Sequence, residues 1–63
     1  GVTPAKAVER MRVEAARAAL QRGEALQLIA AKTGFGDNER MRRAFVRLYG
    51  APPAALRRTL RRA

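Results

Sequence analysis

The segment from Leu26 to Gly50 limits the fold most, because it contains two short helical patterns separated by glycines. The first pattern ends at Gly34, where the backbone must leave the helix. The second begins at Asp37, whose carboxylate can cap a helix. The residues predicted to face inward are Leu26, Ile29, Ala30 and Thr33 in the first helix and Met41, Ala44, Phe45 and Leu48 in the second. Two short helices joined by such a turn form a helix-turn-helix unit.

The opposite face of the second helix is mostly cationic. It comprises Glu39, Arg43 and Val46, flanked by Arg40, Arg42 and Arg47. Arginine side chains can bind both base edges and phosphates when a helix lies in the major groove of DNA. The pattern therefore favours duplex DNA as the partner.

Length and composition exclude several other classes of protein. A chain of 63 residues forms one small domain. It contains no Cys, His or Ser, so disulfides, the usual zinc sites, histidine acid-base catalysis and a serine nucleophile are all excluded. The acidic residues are scattered and form no carboxylate pair. We therefore expect neither an enzyme nor a bound cofactor, and the lack of a long apolar run favours a soluble, cytoplasmic chain.

The net charge of +9 is unevenly distributed, since no acidic residue follows Glu39. Such a charge attracts polyanions, of which nucleic acid is the commonest inside cells. Two alternatives remain open: a basic helical peptide that binds anionic membrane or RNA nonspecifically, and a helical bundle that binds an acidic protein. The arginines at positions 57, 58, 61 and 62 could also reflect only the codon bias of a GC-rich genome.

An earlier helix is predicted over residues 4–21, with Thr3 as its cap and Pro4 in its first turn. It carries two apolar stripes, and we expect one of them to pack on the helix-turn-helix unit. The other, around Val13 and Leu20, has no evident partner and should favour self-association. The alternative is a helix buried on one broad face. The stripes are Val8, Met11, Ala15, Ala18 and Ala19, and separately Val13, Ala16 and Leu20.

Several blocks of the chain resemble the C-terminal DNA-binding domain of AraC/XylS-type transcriptional regulators. They are the Thr3-Pro4 pair, the segments IAAKTGFGD and RAFVRLYG, and Pro53. The resemblance implies an all-α, homeodomain-like bundle with a linker helix over 4–21, a helix-turn-helix over 25–50 and a last helix over 53–61. Residues 1–63 would then be roughly the last two-thirds of the family domain, without its first helix-turn-helix.

The resemblance also implies roles for particular residues of a recognition helix over 37–49. Its base-reading positions would be Asn38, Glu39, Arg40 and Arg43. Arg43 could bind guanine and Asn38 could bind adenine. Glu39 could accept a hydrogen bond from cytosine, or it could simply form an intrahelical ion pair with Arg43.

Three further cations are expected to contact phosphates and so set the register of the protein on DNA. They are Lys32, Arg42 and Arg47. The resemblance places the intact regulator at the bacterial nucleoid, with RNA polymerase as a further partner.

Overall fold

Four helices form the part of the chain that this computed structural model describes, residues 3–62. They are α1 (Pro4–Gln21), α2 (Leu26–Lys32), α3 (Asn38–Tyr49) and α4 (Pro53–Arg62). No strand occurs within these residues. The prediction of an all-α bundle is confirmed, and α4 continues one residue beyond its predicted end.

Side chains and glycine define most of the helix ends. The hydroxyl of Thr3 accepts a hydrogen bond from the backbone N–H of Lys6 at 3.2 Å. Asp37 caps α3 by accepting from the N–H of Arg40 at 2.8 Å. Gly50 ends α3 with a φ of 75°, a left-handed conformation that glycine adopts without steric cost. The caps therefore fix where α1 begins and where α3 begins and ends.

The core lies where α1 meets the other three helices. Leu26, Leu56 and Leu60 pack against it from α2 and α4. Its alanines have small side chains that allow the helix backbones to approach closely. The buried hydrophobic residues that form it are Val13, Ala16, Ala19, Leu20, Ile29, Ala30, Phe35, Met41, Ala44 and Phe45.

The prediction about the two stripes of α1 was wrong. The stripe expected to lack a partner, around Val13 and Leu20, is fully buried. Val8 and Met11, from the other stripe, are 43% and 69% exposed, whereas Ala19 is buried with the core. Alanines dominate α1, and the side that carries Val13 and Leu20 buries more apolar surface against α2, α3 and α4.

Leu48 is a second correction, because it was predicted to face inward and is 40% exposed. It lies in the last turn of α3, where it borders a shallow depression beside Arg10 and Glu14 of α1. Tyr49, the next residue, packs edge-on against Phe45 with ring centroids 5.6 Å apart. The buried face of α3 therefore ends at Phe45.

Candidate nucleic-acid interface

The turn between α2 and α3 sets the direction of the second helix. Gly34 and Gly36 have φ values of 89° and 93°, which other residues adopt only with strain. Between them Phe35 is buried in the core, and the N–H of Gly36 donates to the carbonyl of Ala30 at 3.0 Å. The buried ring and this hydrogen bond fix the turn, so α3 leaves it in a defined direction.

The first half of α3 carries all the side chains that were predicted to read bases. Asn38, Glu39, Arg40 and Arg43 are all exposed. The side chains of Arg40 and Arg43 are 75% and 68% exposed. Arg40 lies 3.9 Å from a carboxylate oxygen of Asp37, which is a weak ion pair at this exposure. Both guanidinium groups are thus available to a partner.

Glu39 is held mainly by Arg42 rather than by Arg43. Arg42 donates to both carboxylate oxygens, at 2.9 and 2.7 Å, while the Nε of Arg43 lies 3.7 Å away. The hydrogen bond from Arg42 keeps the pKa of Glu39 below its ordinary value of 4.5. Glu39 is therefore ionised at neutral pH and partly offsets the positive charge of this face.

Each of the three cations predicted to contact phosphate forms an ion pair within the chain. Lys32 lies 2.5 Å from Glu24, Arg42 binds Glu39, and Arg47 lies 2.5 Å from Glu9 on α1. All three cationic side chains remain about half exposed. Surface ion pairs of this kind are weak, so a phosphate can compete for them.

Glu24 in the loop between α1 and α2 gathers a cluster of cations. Its carboxylate pairs with Arg22 and Lys32, and these hydrogen bonds, that of Lys32 first, keep its pKa below 4.5. Arg57 of α4 donates to the backbone carbonyl of Glu24. Arg57 is thus hydrogen-bonded to another part of the fold, whereas sequence patterns indicated only that it belongs to the basic C-terminal end.

Sequence reasoning did not single out the contribution of α1 to the basic surface. A cleft of about 340 Å³ lies between α1 and α3, and Arg12 lines it together with three arginines of α3. An added Cβ at Gly34 would lie only 3.0 Å from the Nε of Arg12. No sequence signal links Arg12 to Gly34, because their proximity depends on how α1 packs across the turn.

Other kinds of site are not found in the described residues. No group of three His, Cys, Asp or Glu side chains among them could hold a metal ion. No helix in residues 3–62 has both the length and the apolar character needed to cross a membrane.

The comparison with known families gives a clear result. Residues 1–59 match the sequence model of a family described as a helix-turn-helix domain. This chain belongs to the AraC-type helix-turn-helix family. The resemblance to that family is thereby confirmed, and a helix-turn-helix domain of this type binds DNA and is not an enzyme.

One curated protein is similar in sequence to most of this chain. The AraC-type chain is 44% identical over 59 residues to the HTH-type transcriptional regulator Rv1931c of Mycobacterium tuberculosis. The match covers 92% of this chain but only 23% of that regulator, so the chain spans about a quarter of the relative's length. No solved structure is significantly similar to the chain.

Proposed function

We propose that this chain recognises a DNA sequence for a transcriptional regulator, with α3 lying in the major groove. The observation that carries the proposal is the exposed, arginine-rich first half of α3. The fixed glycine turn and the Asp37 cap hold it in a defined direction. A helix that is buried on one side and cationic on the other is suited to the groove.

The base-reading roles follow from the chemistry of the exposed side chains. Arg43 has an exposed guanidinium fork, with only a long ion pair to Glu39, that can bind the O6 and N7 of guanine, and Asn38 can pair with adenine. Arg40 is 75% exposed and lines the same cleft as Arg43. Glu39 is ionised and can accept from cytosine N4, provided that Arg42 turns away toward a phosphate.

The phosphate contacts would come from Lys32, Arg42 and Arg47, each by exchanging a carboxylate for a phosphate. The exchange conserves one charge-assisted pair for the cation and leaves a carboxylate to be hydrated. These contacts are independent of sequence and set the register of α3 in the groove.

Three broader statements belong to the intact regulator. We infer that it acts at the bacterial nucleoid and meets RNA polymerase there. Self-association through α1 would use Val8 and Met11, because these apolar side chains are exposed. The stripe around Val13 and Leu20 is buried in the core and is not accessible to a second copy.

An amide NMR titration with a short mixed-sequence duplex tests the proposal. The chain is assigned, and shifts are recorded at low and at moderate salt. We expect the largest shifts in residues 37–47. The dissociation constant for nonspecific duplex should be ~10⁻⁴ to 10⁻⁶ M, and the affinity should fall as the salt concentration rises. A matched titration with anionic lipid vesicles and with single-stranded RNA supplies the control.

The alternative of a nonspecific basic peptide makes a different prediction. Shifts would then be confined to residues 56–63, disappear at moderate salt and be as large with vesicles or RNA as with duplex. The bond from Arg57 to the Glu24 carbonyl restrains one side chain of that end but leaves its positive charge in place. That pattern of shifts would reject a groove-reading role for α3.

A further inference from the structure

We propose that the cleft between α1 and α3 binds a backbone phosphate of DNA, with Arg12 of α1 as a main ligand. The inference rests on the proposed function and adds to it a residue that lies outside the helix-turn-helix unit. It also gives α1 a direct part in binding, in addition to its part in the core.

The charge of the cleft is strongly unbalanced. Arg12, Arg40, Arg43 and Arg47 line it, and Glu9 is the one carboxylate among its lining residues within the described part of the chain. Four positive charges against one negative charge leave a net charge of +3. Arg40 and Arg43 keep their base-reading roles and contribute only their positive charge, while Arg12 and Arg47 offer planar forks that match the oxygens of a phosphate.

Arg12 is positioned by the glycine turn. Gly34 has a φ of 89°, and its missing side chain leaves the space in which the guanidinium group of Arg12 lies. No carboxylate within residues 3–60 lies in ion-pair distance of Arg12. The structure thus holds an arginine with no acidic partner against the turn that precedes the recognition helix.

Glu9 and Arg47 also line the cleft and form an ion pair with each other. Arg47 donates to the two carboxylate oxygens of Glu9, at 3.3 and 2.5 Å. Glu9 thereby holds Arg47 at the cleft in the absence of DNA. A phosphate entering between Arg12 and Arg47 would compete with Glu9 for the same guanidinium group.

The position of the cleft favours a phosphate over a base as its occupant. With α3 in the major groove, the sugar-phosphate strands border the helix on both sides. Arg12 is carried by a different helix, beside the turn, so it meets the bordering strand and not the base edges. Its contribution should therefore be equal for all DNA sequences.

The first test compares Arg12→Gln with Arg10→Gln in duplex binding over 50–200 mM salt. Both changes remove one charge from an exposed position of α1, but Arg10 borders a different depression, beside Leu48. We expect R12Q to reduce the salt slope by about 1, so that raising salt from 50 to 200 mM costs it about 3.5-fold less affinity than the wild type. R10Q should keep the wild-type slope. Arg12→Lys keeps the positive charge that R12Q removes, so it should also show the wild-type slope.

A second pair of variants tests the cleft without altering Arg12. Glu9→Gln removes the negative charge and frees Arg47, so it should tighten duplex binding more than Glu14→Gln does. Glu14 lies on α1 beside the other depression. Circular dichroism confirms that each variant is folded.

The outcomes separate this inference from the proposed function. If the wild type binds duplex DNA but R12Q matches R10Q, or E9Q matches E14Q, the cleft is not a phosphate site and the groove-reading role of α3 survives. A wild-type chain that binds no duplex at all would overturn both.

Discussion

The two faces of α3 differ in what holds them and in what they leave open. The inner face, with Met41, Ala44 and Phe45, is almost completely buried against the other helices. The outer face is exposed, and Arg40 and Arg43 on it make only long ion pairs, at 3.9 and 3.7 Å. One helix of 12 residues therefore combines the part of the molecule that tolerates least change with the part that contacts its partner.

The difference separates stability from recognition in space. Packing fixes the inner side chains in single conformations, so their replacement changes the free energy of unfolding. The outer arginines make little contribution to folding and remain free to reorient toward DNA. Substitutions on the two faces should thus affect different measurements, and a substitution that changed both would break the separation.

The largest expected effect is on stability, from Phe45→Ala on the inner face. Phe45 is 0% exposed, and removing its ring should cost about 3–5 kcal/mol, enough to unfold so small a domain. Urea unfolding followed by circular dichroism measures the loss. Val46→Ala, the neighbouring residue on the outer face, should change stability by no more than about 0.5 kcal/mol. Equal losses in the two variants would show that α3 has no distinct inner face.

The next effect is on DNA recognition, from Arg43→Ala on the outer face. A bidentate contact with guanine contributes about 1–3 kcal/mol of discrimination, which R43A should lose at one position of the preferred site. Selection of duplexes from a random pool, before and after the change, measures the preference. Arg58→Ala removes an equal charge from an exposed position of α4 and should leave the preference intact. An unchanged preference in R43A would remove Arg43 from the base-reading set.

A smaller effect on stability is expected at the start of α3, from Asp37→Ala. Its carboxylate accepts from the Arg40 N–H, and loss of such a cap costs about 1 kcal/mol. Asp37→Asn keeps an acceptor and should retain most of the stability. Thermal unfolding of the two variants measures the difference. If D37N were as unstable as D37A, the charge at the start of α3, and not the hydrogen bond, would be the stabilising factor.

Local signals predicted the parts of the fold that depend on neighbouring residues. The caps at Thr3 and Asp37 and the glycine turn follow from backbone chemistry that one segment contains by itself. The choice between the two stripes of α1 depended on which side the other helices cover, and a helix so rich in alanine gives little contrast. The exposure of Leu48 likewise depends on how far the other helices cover the last turn of α3, and the spacing of apolar residues along α3 does not show this.

The candidate site divides in the same way. Periodicity predicted that Arg40 and Arg43 lie on the outer side of α3, and both line the cleft against α1, whereas Asn38 borders a separate depression beside Pro52 and Pro53. The pairing of each cation depends on residues distant in sequence: Arg47 meets Glu9 of α1, and Arg57 meets the carbonyl of Glu24. Arginines that look equivalent in the sequence thus differ in whether they have a partner within the fold, and only the tertiary arrangement distinguishes them.

The smallest expected effect concerns the contribution of the outer face to stability and its dependence on pH. Arg42 lowers the pKa of Glu39 below 4.5, so the folded state favours the ionised carboxylate. The resulting stabilisation is fully present above the ordinary pKa of glutamate and is lost as pH falls through the lowered value. It should be slight, because both side chains are about half exposed.

Thermal unfolding of the wild type and Glu39→Gln between pH 7 and pH 2 measures this contribution. The wild type should exceed E39Q in stability by a small, constant amount at neutral pH, and the difference should shrink in acid as Glu39 is protonated. Glu14→Gln, which removes a carboxylate with no ion pair among the described residues, controls for the change in net charge. A difference that grew in acid would mean that Glu39 destabilises the folded state when ionised.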